Sequence, residues 1–566
     1  MNLDAFPPAA RALLERGGAY ELVEETIRGV PLPVFRHAPL HLRELYQGAL
    51  EHASDTFYVY EDERYTFAEA WRNAERVMAA LYWLGVRPGD RVGIAMRNYP
   101  EWVFAFMGIT SMGAVAVAMN AWWTGAEMLY GIEDSGLRTI FVDRERLERL
   151  SPYLDDRPLD LIAVRTTHSA GRGVRPWRDF IHSGTGVMHV PEIHPDDNAT
   201  FLYTSGSTSR PKGVVSSHRA IIHSLLGWEA SAAIARATAG RTQRPPEHQP
   251  SMILTVPLFH VTGLNGQLLP SLRNGRKVVG MHKWDPEKAL AIIERERVTH
   301  FSGVPSMAYE LVNSPNYDQY DLSSLRSIGG GGAAMTPKHS RRIEERGGSR
   351  TRASAAYAMT ETNGLAASNA GANLRERPTS CGKALPPLVD IRINGRVGKQ
   401  LAPGQTGEIS IKGPMNFTCY WNLPEDTAQT LVDGWVQTGD LGHMDEEGFI
   451  FITDRAKEMI IRGGENIGCQ EVESVLYEHP KIAECAVFGL PDDRLGENVA
   501  AVVRVKAGAF LTVGDVQSHV ADHLARFKVP AHVWIRDVEL PRTASGKIFK
   551  RGIRDEILAG LQAAHQ

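Results

Sequence analysis

Ten consecutive residues, Thr204-Ser205-Gly206-Ser207-Thr208-Ser209-Arg210-Pro211-Lys212-Gly213, constrain this chain more than any other stretch. Backbone N–H groups freed by glycine, with Ser and Thr hydroxyls, wrap phosphate oxygens, and Arg210 and Lys212 add positive charge. The apolar run Asn198 to Tyr203 reads as a strand. The loop is therefore expected to hang from a strand end, where α/β proteins bind their ligands. It is not a Walker A loop. That motif sets Gly directly before Lys and Ser or Thr directly after it, and here Pro211 and Gly213 hold those places. Read in isolation, such a cluster also suits an ordinary surface loop.

The alternation of elements around the loop defines the fold class. Arg91 to Met96 reads as a strand, Pro100 to Met112 as a helix opened by proline, and Ala114 to Ala118 as a second strand. Gly125 to Asp134 reads as a second helix and Thr139 to Val142 as a third strand, which makes a β-α-β-α-β run on a parallel sheet. The theme returns with strands at Met252–Val256 and Arg276–Gly280, then a helix capped by Asp285-Pro286 and reaching about Arg297. Gly240 to Pro250 is a polar surface loop by composition. From Asp390 to Gly413 short strands alternate with turns, and from about Lys457 the pattern is α+β.

At 566 residues the chain exceeds what one core supports. The expected architecture is α/β. A large N-terminal domain of parallel sheets covers 1–455 and includes a β-rich subdomain at about 385–455. A small mobile α+β domain covers 456–566. A net charge of −4 offers no basic excess for nucleic acid. Cys381, Cys419, Cys469 and Cys485 form no CxxC pair, so neither zinc nor a disulfide framework is expected, and a reduced cytoplasmic setting fits. The N-terminus lacks a signal-peptide pattern. The apolar stretch Met112 to Met119 is too short to span a bilayer. Peripheral membrane contact stays compatible with the sequence, and nothing in it reports an oligomeric state.

Further strings carry chemistry. Ser327-Ile328 reads as a strand end opening into Gly329-Gly330-Gly331-Gly332-Ala333-Ala334, a backbone stripped of side chains on which a flat or bulky group can lie. In Ala355-Ala356-Tyr357-Ala358-Met359-Thr360-Glu361-Thr362, Tyr357 offers a stacking face, Thr360 a phosphate donor and Glu361 a hard oxygen ligand for Mg²⁺. Asp440, among small residues in Gly434 to Gly442, suits acceptance from two ribose hydroxyls; alone, it reads equally as a turn residue. Asp454 to Ile467 and Pro541 to Ile548 are charged strings whose bland reading is solvated surface. His260, in Pro257-Leu258-Phe259-His260-Val261-Thr262-Gly263, reads on its own as a core histidine that could titrate.

Taken as whole strings and in this order, these motifs resemble those of the adenylate-forming superfamily: acyl- and aryl-CoA synthetases, luciferases and peptide-synthetase adenylation domains. The resemblance runs over nearly the whole chain. Ser209 and Ala358 stand where that superfamily usually has glycine, and Gly468-Cys469 where it has Ser-Pro. It implies ATP contacts at Thr204, Ser205, Gly206, Ser207, Thr208, Lys212, Gly332, Ala333, Ala334, Ala356, Tyr357 and Thr360. Asp440 and Arg455 would hold the ribose, and Glu361 would hold Mg²⁺. Lys457 would be an interdomain hinge, and Gly463-Gly464 would approach CoA. Lys547 would bridge a carboxylate oxygen and the α-phosphate as charge builds between them. Lys212 would sit near the departing phosphates, and His260 would position the substrate at the carboxylate and thiol entrance without acting in acid–base chemistry.

The implied reaction has two halves. A carboxylate attacks the α-phosphate of Mg-ATP, and CoA then displaces AMP from the acyl-adenylate. Only a short tail follows Lys547, so no carrier domain lies in cis and an acyl-CoA synthetase is favoured over a peptide-synthetase module. The rival from another class is a nucleotide-binding protein or ATPase without thioester chemistry. The acyl pocket is expected among His260, Gly263, Gly303, Val304, Gly330 and Gly331. No acidic residue in those strings would pair with a substrate ammonium. The acid is therefore expected to be a medium- or long-chain fatty acid, with an aromatic or polycyclic acid second.

Overall fold

A computed structural model describes residues 3–154, 158–166, 173–184, 188–204, 211–240, 248–331, 337–347, 352–395, 398–455, 458–462, 465–492, 494–543 and 546–564. Two large mixed sheets dominate. In the first, of eight strands, Arg91–Ala95 runs parallel to Val115–Ala118 on one side and to Thr139–Asp143 on the other. The expected β-α-β-α-β run is thus present, with its helices at Pro100–Ser111 and Gly125–Ser135. Asn198–Thr204 extends this parallel block, and Lys212–Ser217 returns antiparallel beside it.

The second sheet has nine strands. Its parallel centre runs, in spatial order, Arg352–Tyr357, Ser327–Gly331, His300–Gly303, Ser251–Leu254, Lys277–Gly280 and Thr56–Tyr60. The glycine run corrects the sequence reading. The strand does not end at Ile328 but continues through Gly331, hydrogen-bonded to parallel neighbours on both sides. Glycine has low strand propensity, yet here close packing demands it. A Cβ on Gly329 would stand 2.2 Å from Ser354 Oγ, and one on Gly330 would stand 2.7 Å from the Gly303 carbonyl oxygen.

The main core lies between the two sheets. Val92, Ile94 and Ala116 of the first sheet share a buried cluster with Tyr58, Met252 and Val278 of the second. Pro100–Ser111 fills that layer. All but Glu101 of its residues are buried, as expected of a helix that is apolar all round. Phe67–Leu84 packs against it, started by a Thr66/Glu69 capping box and stopped by Gly85 in the left-handed region.

A third, antiparallel sheet contains Asp390–Asn394, Gly407–Lys412, Trp435–Met444 and Ile450–Arg455. Leu22–Ile27 with Val30–Phe35 forms a two-stranded sheet, and a further sheet pairs Ile460–Arg462, Glu465–Ile467, Ile482–Asp492, Gly496–Val505 and His532–Arg536. The helices Cys469–Glu478, Val513–Ala521 and Lys550–Ala564 accompany it. Among the described residues no helix is long and apolar enough to cross a membrane, and no cluster of three or more His, Cys, Asp or Glu side chains is arranged to hold a metal ion.

Candidate active site

Parallel strands deliver the candidate residues at their C-terminal ends, the binding edge of α/β sheets. Thr204 ends one strand, Gly303 a second, Gly331 a third and Tyr357 a fourth. Register sets Gly303 beside Gly330, Gly330 beside Ala355, and Gly331 beside Ala356. The bare backbone of the acyl candidates therefore adjoins the strand that carries Ala356 and Tyr357.

The Tyr357 hydroxyl donates to Asp440 Oδ2 at 2.7 Å, and both side chains are buried. Burial, then the Asp440 charge, raises the Tyr357 pKa well above its ordinary value. Asp440 is not in a turn. It lies within the strand Trp435–Met444, opposite Arg455 of the neighbouring strand, and its N–H donates to Thr438 Oγ1 at 3.1 Å. Tyr357, Asp440 and the Arg455 backbone thus meet in one place.

A second polar group forms around Lys212, which opens a strand and is register-paired with Thr204. Its ammonium pairs with Asp426 and lies 5.0 Å from the centroid of the Tyr420 ring. The Tyr420 hydroxyl donates to Glu361 Oε1 at 2.6 Å. Burial, and next the Glu361 charge, raises the tyrosine pKa. Glu361 sits in the short 3-10 turn Thr360–Thr362, and its carbonyl accepts from the Phe417 N–H at 2.8 Å. Tyr420 and Asp426 are additions that the sequence reading missed. Lys212 lies 214 residues from Asp426 and Glu361 lies 59 residues from Tyr420, and no local spacing signals either contact.

Glu361 suits Mg²⁺. It is a buried carboxylate, and the Tyr420 that donates to it lies under the Lys212 ammonium. Mg²⁺ characteristically binds one or two carboxylates, with substrate phosphates and water completing its shell.

The third group crosses from the C-terminal sheet's region. Arg542 and Ile548 bridge antiparallel, the Thr543 N–H donates to the Lys547 carbonyl at 2.7 Å, and Gly546 turns with φ +83°. This hairpin seats on the large body. A Cβ on Gly546 would lie 3.2 Å from Val304 Cγ2 and 3.4 Å from Met307 Cε. His260 precedes the turn Val261–Gly263 without a side-chain cap, and its Nε2 is buried with no hydrogen-bond partner among the described residues. Burial, then the Lys547 ammonium, pulls its pKa down to about 4, so the ring is neutral near pH 7. Lys547, His260 and Val304 are therefore brought together. Met307 and Thr255, which the sequence reading did not single out, bound the space at Gly303, where a Cβ would meet Met307 Sδ at 3.3 Å and Thr255 Oγ1 at 3.2 Å. Gly263 has a packing reason of its own, because a Cβ there would stand 2.3 Å from the Pro257 carbonyl oxygen.

Several candidates lie outside the described residues: Ser205, Gly206, Ser207, Thr208, Gly332, Ala333, Ala334, Lys457, Gly463 and Gly464.

The known proteins similar to this chain agree with the geometry. Residues 45–421 match the family model described as AMP-binding enzyme, and residues 471–547 match the AMP-binding enzyme C-terminal domain. A long-chain-fatty-acid–CoA ligase of Bacillus subtilis (strain 168) is 32% identical, over 87% of this chain and 90% of its own length. An indoleacetate–CoA ligase of Aromatoleum aromaticum is 34% identical, over 86% of this chain and 92% of its own. Among solved structures, an anthranilate CoA ligase in complex with anthranoyl-AMP superposes with a TM-score of 0.82 at 26% identity, covering 93% of this chain and 99% of that one. The co-substrates that accompany such matches are ATP and CoA, with Mg²⁺. The chain belongs to the AMP-binding enzymes of the adenylate-forming superfamily, among its acid–CoA ligases.

Proposed function

We propose that this ligase activates a medium- or long-chain fatty acid. A substrate carboxylate oxygen attacks the α-phosphorus of ATP and pyrophosphate leaves. The CoA thiol sulfur then attacks the acyl carbon and AMP leaves. The observation that carries the two-step reading is the hairpin of Lys547 seated against Val304 and Met307, beside a neutral His260. An anion attacking a polyanion needs charge neutralisation more than proton transfer. Lys547 supplies it at the reacting carboxylate and Lys212 at the departing phosphates. Glu361 would hold Mg²⁺, which supplies electrostatic stabilisation of the phosphates when bound. Asp440 and Arg455 hold the ribose, and Tyr357 covers the base. His260 stays uncharged and shapes the acyl entrance. Residues 1–455 form the adenylating body. Residues 456–566 turn about Lys457 between the two steps, bringing Gly463-Gly464 to CoA. Among the described residues no disulfide joins the four cysteines, which fits a reducing cytoplasm.

The fatty-acid choice rests on the pocket's lining. His260 to Leu264 and Ser302 to Pro305 contain no carboxylate. The space at Gly303 is bounded by Met307, an unbranched and adaptable side chain. A panel of straight-chain and ring-bearing acids with CoA, ATP and Mg²⁺, products identified by mass, tests this. The expected result is thioester and AMP in equal amounts, with turnover climbing with chain length. Strong turnover confined to ring-bearing acids would replace the fatty acid by an aryl or polycyclic acid. Nucleotide hydrolysis indifferent to acid and CoA would remove the ligase reading.

A further inference from the structure

We infer that Arg542 is a positioning residue for the first half-reaction: its guanidinium ties the hairpin carrying Lys547 to the helix Pro305–Asn313 of the large body. The inference rests on the reading that Lys547 serves adenylation.

Arg542 reaches three acceptors at once. Within the hairpin it donates to the carbonyl of Gly546, the residue before Lys547, at 2.7 Å. Within its own domain it pairs with Glu484 of the strand Ile482–Asp492. Across to the large body it donates to Ser306 Oγ at 3.3 Å. A planar guanidinium with five donors can serve such a fork; a lysine ammonium is a point charge on a flexible stem. Ser306 lies between Val304 and Met307, the two residues against which Gly546 packs. The polar tie and the apolar contact therefore fix the same end of the hairpin from two directions. Lys547 gains a defined depth relative to His260 and the strand end at Gly303.

Glu484 does not depend on Arg542 alone. Arg504 Nε donates to it at 2.7 Å and the Leu540 N–H at 3.1 Å. Losing Arg542 thus leaves this buried carboxylate partnered, and the small domain keeps its internal pairing. What is lost is the link from hairpin to helix. That link exists only while the hairpin is seated, so it favours the seated arrangement and has no part in a step from which Lys547 is withdrawn.

The test compares wild type, Arg542→Ala, Arg542→Lys, Ser306→Ala and Lys547→Ala. Pyrophosphate is measured in the first turnover with an accepted acid. Thioester is measured separately, from supplied acyl-adenylate and CoA. Melting temperature is followed alongside. Arg542→Ala should slow pyrophosphate formation about 10- to 100-fold, the scale of a roughly 1 Å misplacement of a reacting group. Thioester formation should stay within about twofold of wild type, since the tie is absent from that step. Arg542→Lys should keep the melting temperature near that of wild type, because Glu484 stays partnered, while adenylation stays slow. Ser306→Ala should slow the same step by about threefold, the scale of one hydrogen bond of modest net worth. Equal loss in both half-reactions, or no loss in either, would overturn the inference. So would full recovery by Arg542→Lys together with an unaffected Ser306→Ala. Lys547→Ala separates the two claims. If it keeps pyrophosphate formation, the assignment of Lys547 falls and this inference with it. If it loses that step and Arg542→Ala does not, only the role of Arg542 falls.

Discussion

The proposed nucleotide side and the proposed acyl side of this site are built on opposite principles. On the nucleotide side, charges and hydroxyls hold one another: Tyr357 on buried Asp440, Tyr420 on buried Glu361, and Lys212 on the half-exposed Asp426. On the acyl side, the strand ends are bare backbone, and the space beside Gly303 is closed by Met307 and Thr255. Chemistry common to many acids is fixed by paired groups with little freedom to vary. Selection of one acid is left to volume, which a single side chain can change. Relatives that share the architecture yet carry names as different as long-chain fatty acid and indoleacetate fit that division.

The comparison breaks most visibly at Glu361. Glu361→Gln keeps an oxygen for the Tyr420 hydroxyl but removes the negative charge, so turnover should fall by about two orders of magnitude or more at ordinary Mg²⁺. Initial rates across a Mg²⁺ titration check this, and wild-type behaviour would remove Glu361 from the metal's shell. Asp440→Ala comes next. It strips a charged acceptor and leaves the buried Tyr357 hydroxyl without its partner. Hydrogen bonds to charged groups are worth about 1.5–3 kcal/mol, so the ATP Kd should rise by about 10- to 100-fold in calorimetry. The chain-length preference should not move.

The acyl side should respond in the complementary way. Burying one more CH₂ gains about 0.8 kcal/mol, roughly fourfold in kcat/KM per methylene until the pocket floor is met. Gly303→Leu fills the space by Met307 and should move that limit to shorter acids, and Met307→Ala should move it to longer ones. Both should leave the ATP Kd within about twofold. A shift in ATP affinity with an unchanged acid profile would contradict the division.

The smallest expected effect is in pH. His260 has its pKa lowered to about 4 in the fold, and so does the buried His223. A depressed histidine pKa means that the unfolded chain binds protons first. Its contribution to stability is fully present above about 6.5 and is lost as pH falls towards 4. Melting temperature should therefore decline over that window, and His260→Asn should flatten part of the decline. An identical pH profile in the variant would show that His260 is not held neutral.

Much of the nucleotide side was legible in the sequence because its parts come as contiguous strings. Thr204 closes one strand and Lys212 opens its antiparallel partner, and the β-α-β-α-β run announced the sheet that carries them. What escaped was made by distant chain segments. Asp426 reaches Lys212, and Arg542 reaches Ser306, across separations of 214 and 236 residues. Local spacing carries no such information. The glycine run misled for another reason. Glycine reads locally as a turn, whereas at Gly330 the neighbouring backbone leaves no room for a Cβ and the strand continues. Asp440 likewise reads as a turn residue next to Gly439, yet belongs to a long strand that tolerates a register shift after Leu441.

The division between shared chemistry and selected acid has Lys547 at its seam, so the most direct test is the partition of the two half-reactions in Lys547→Ala. Rapid-quench measurement of pyrophosphate from acid and ATP, against thioester from supplied acyl-adenylate and CoA, reads both. The account predicts that pyrophosphate formation falls by about two to three orders of magnitude, the scale of one lost charge-stabilising contact, while thioester formation persists. Equal loss of the two steps, or an undiminished first step, would contradict it.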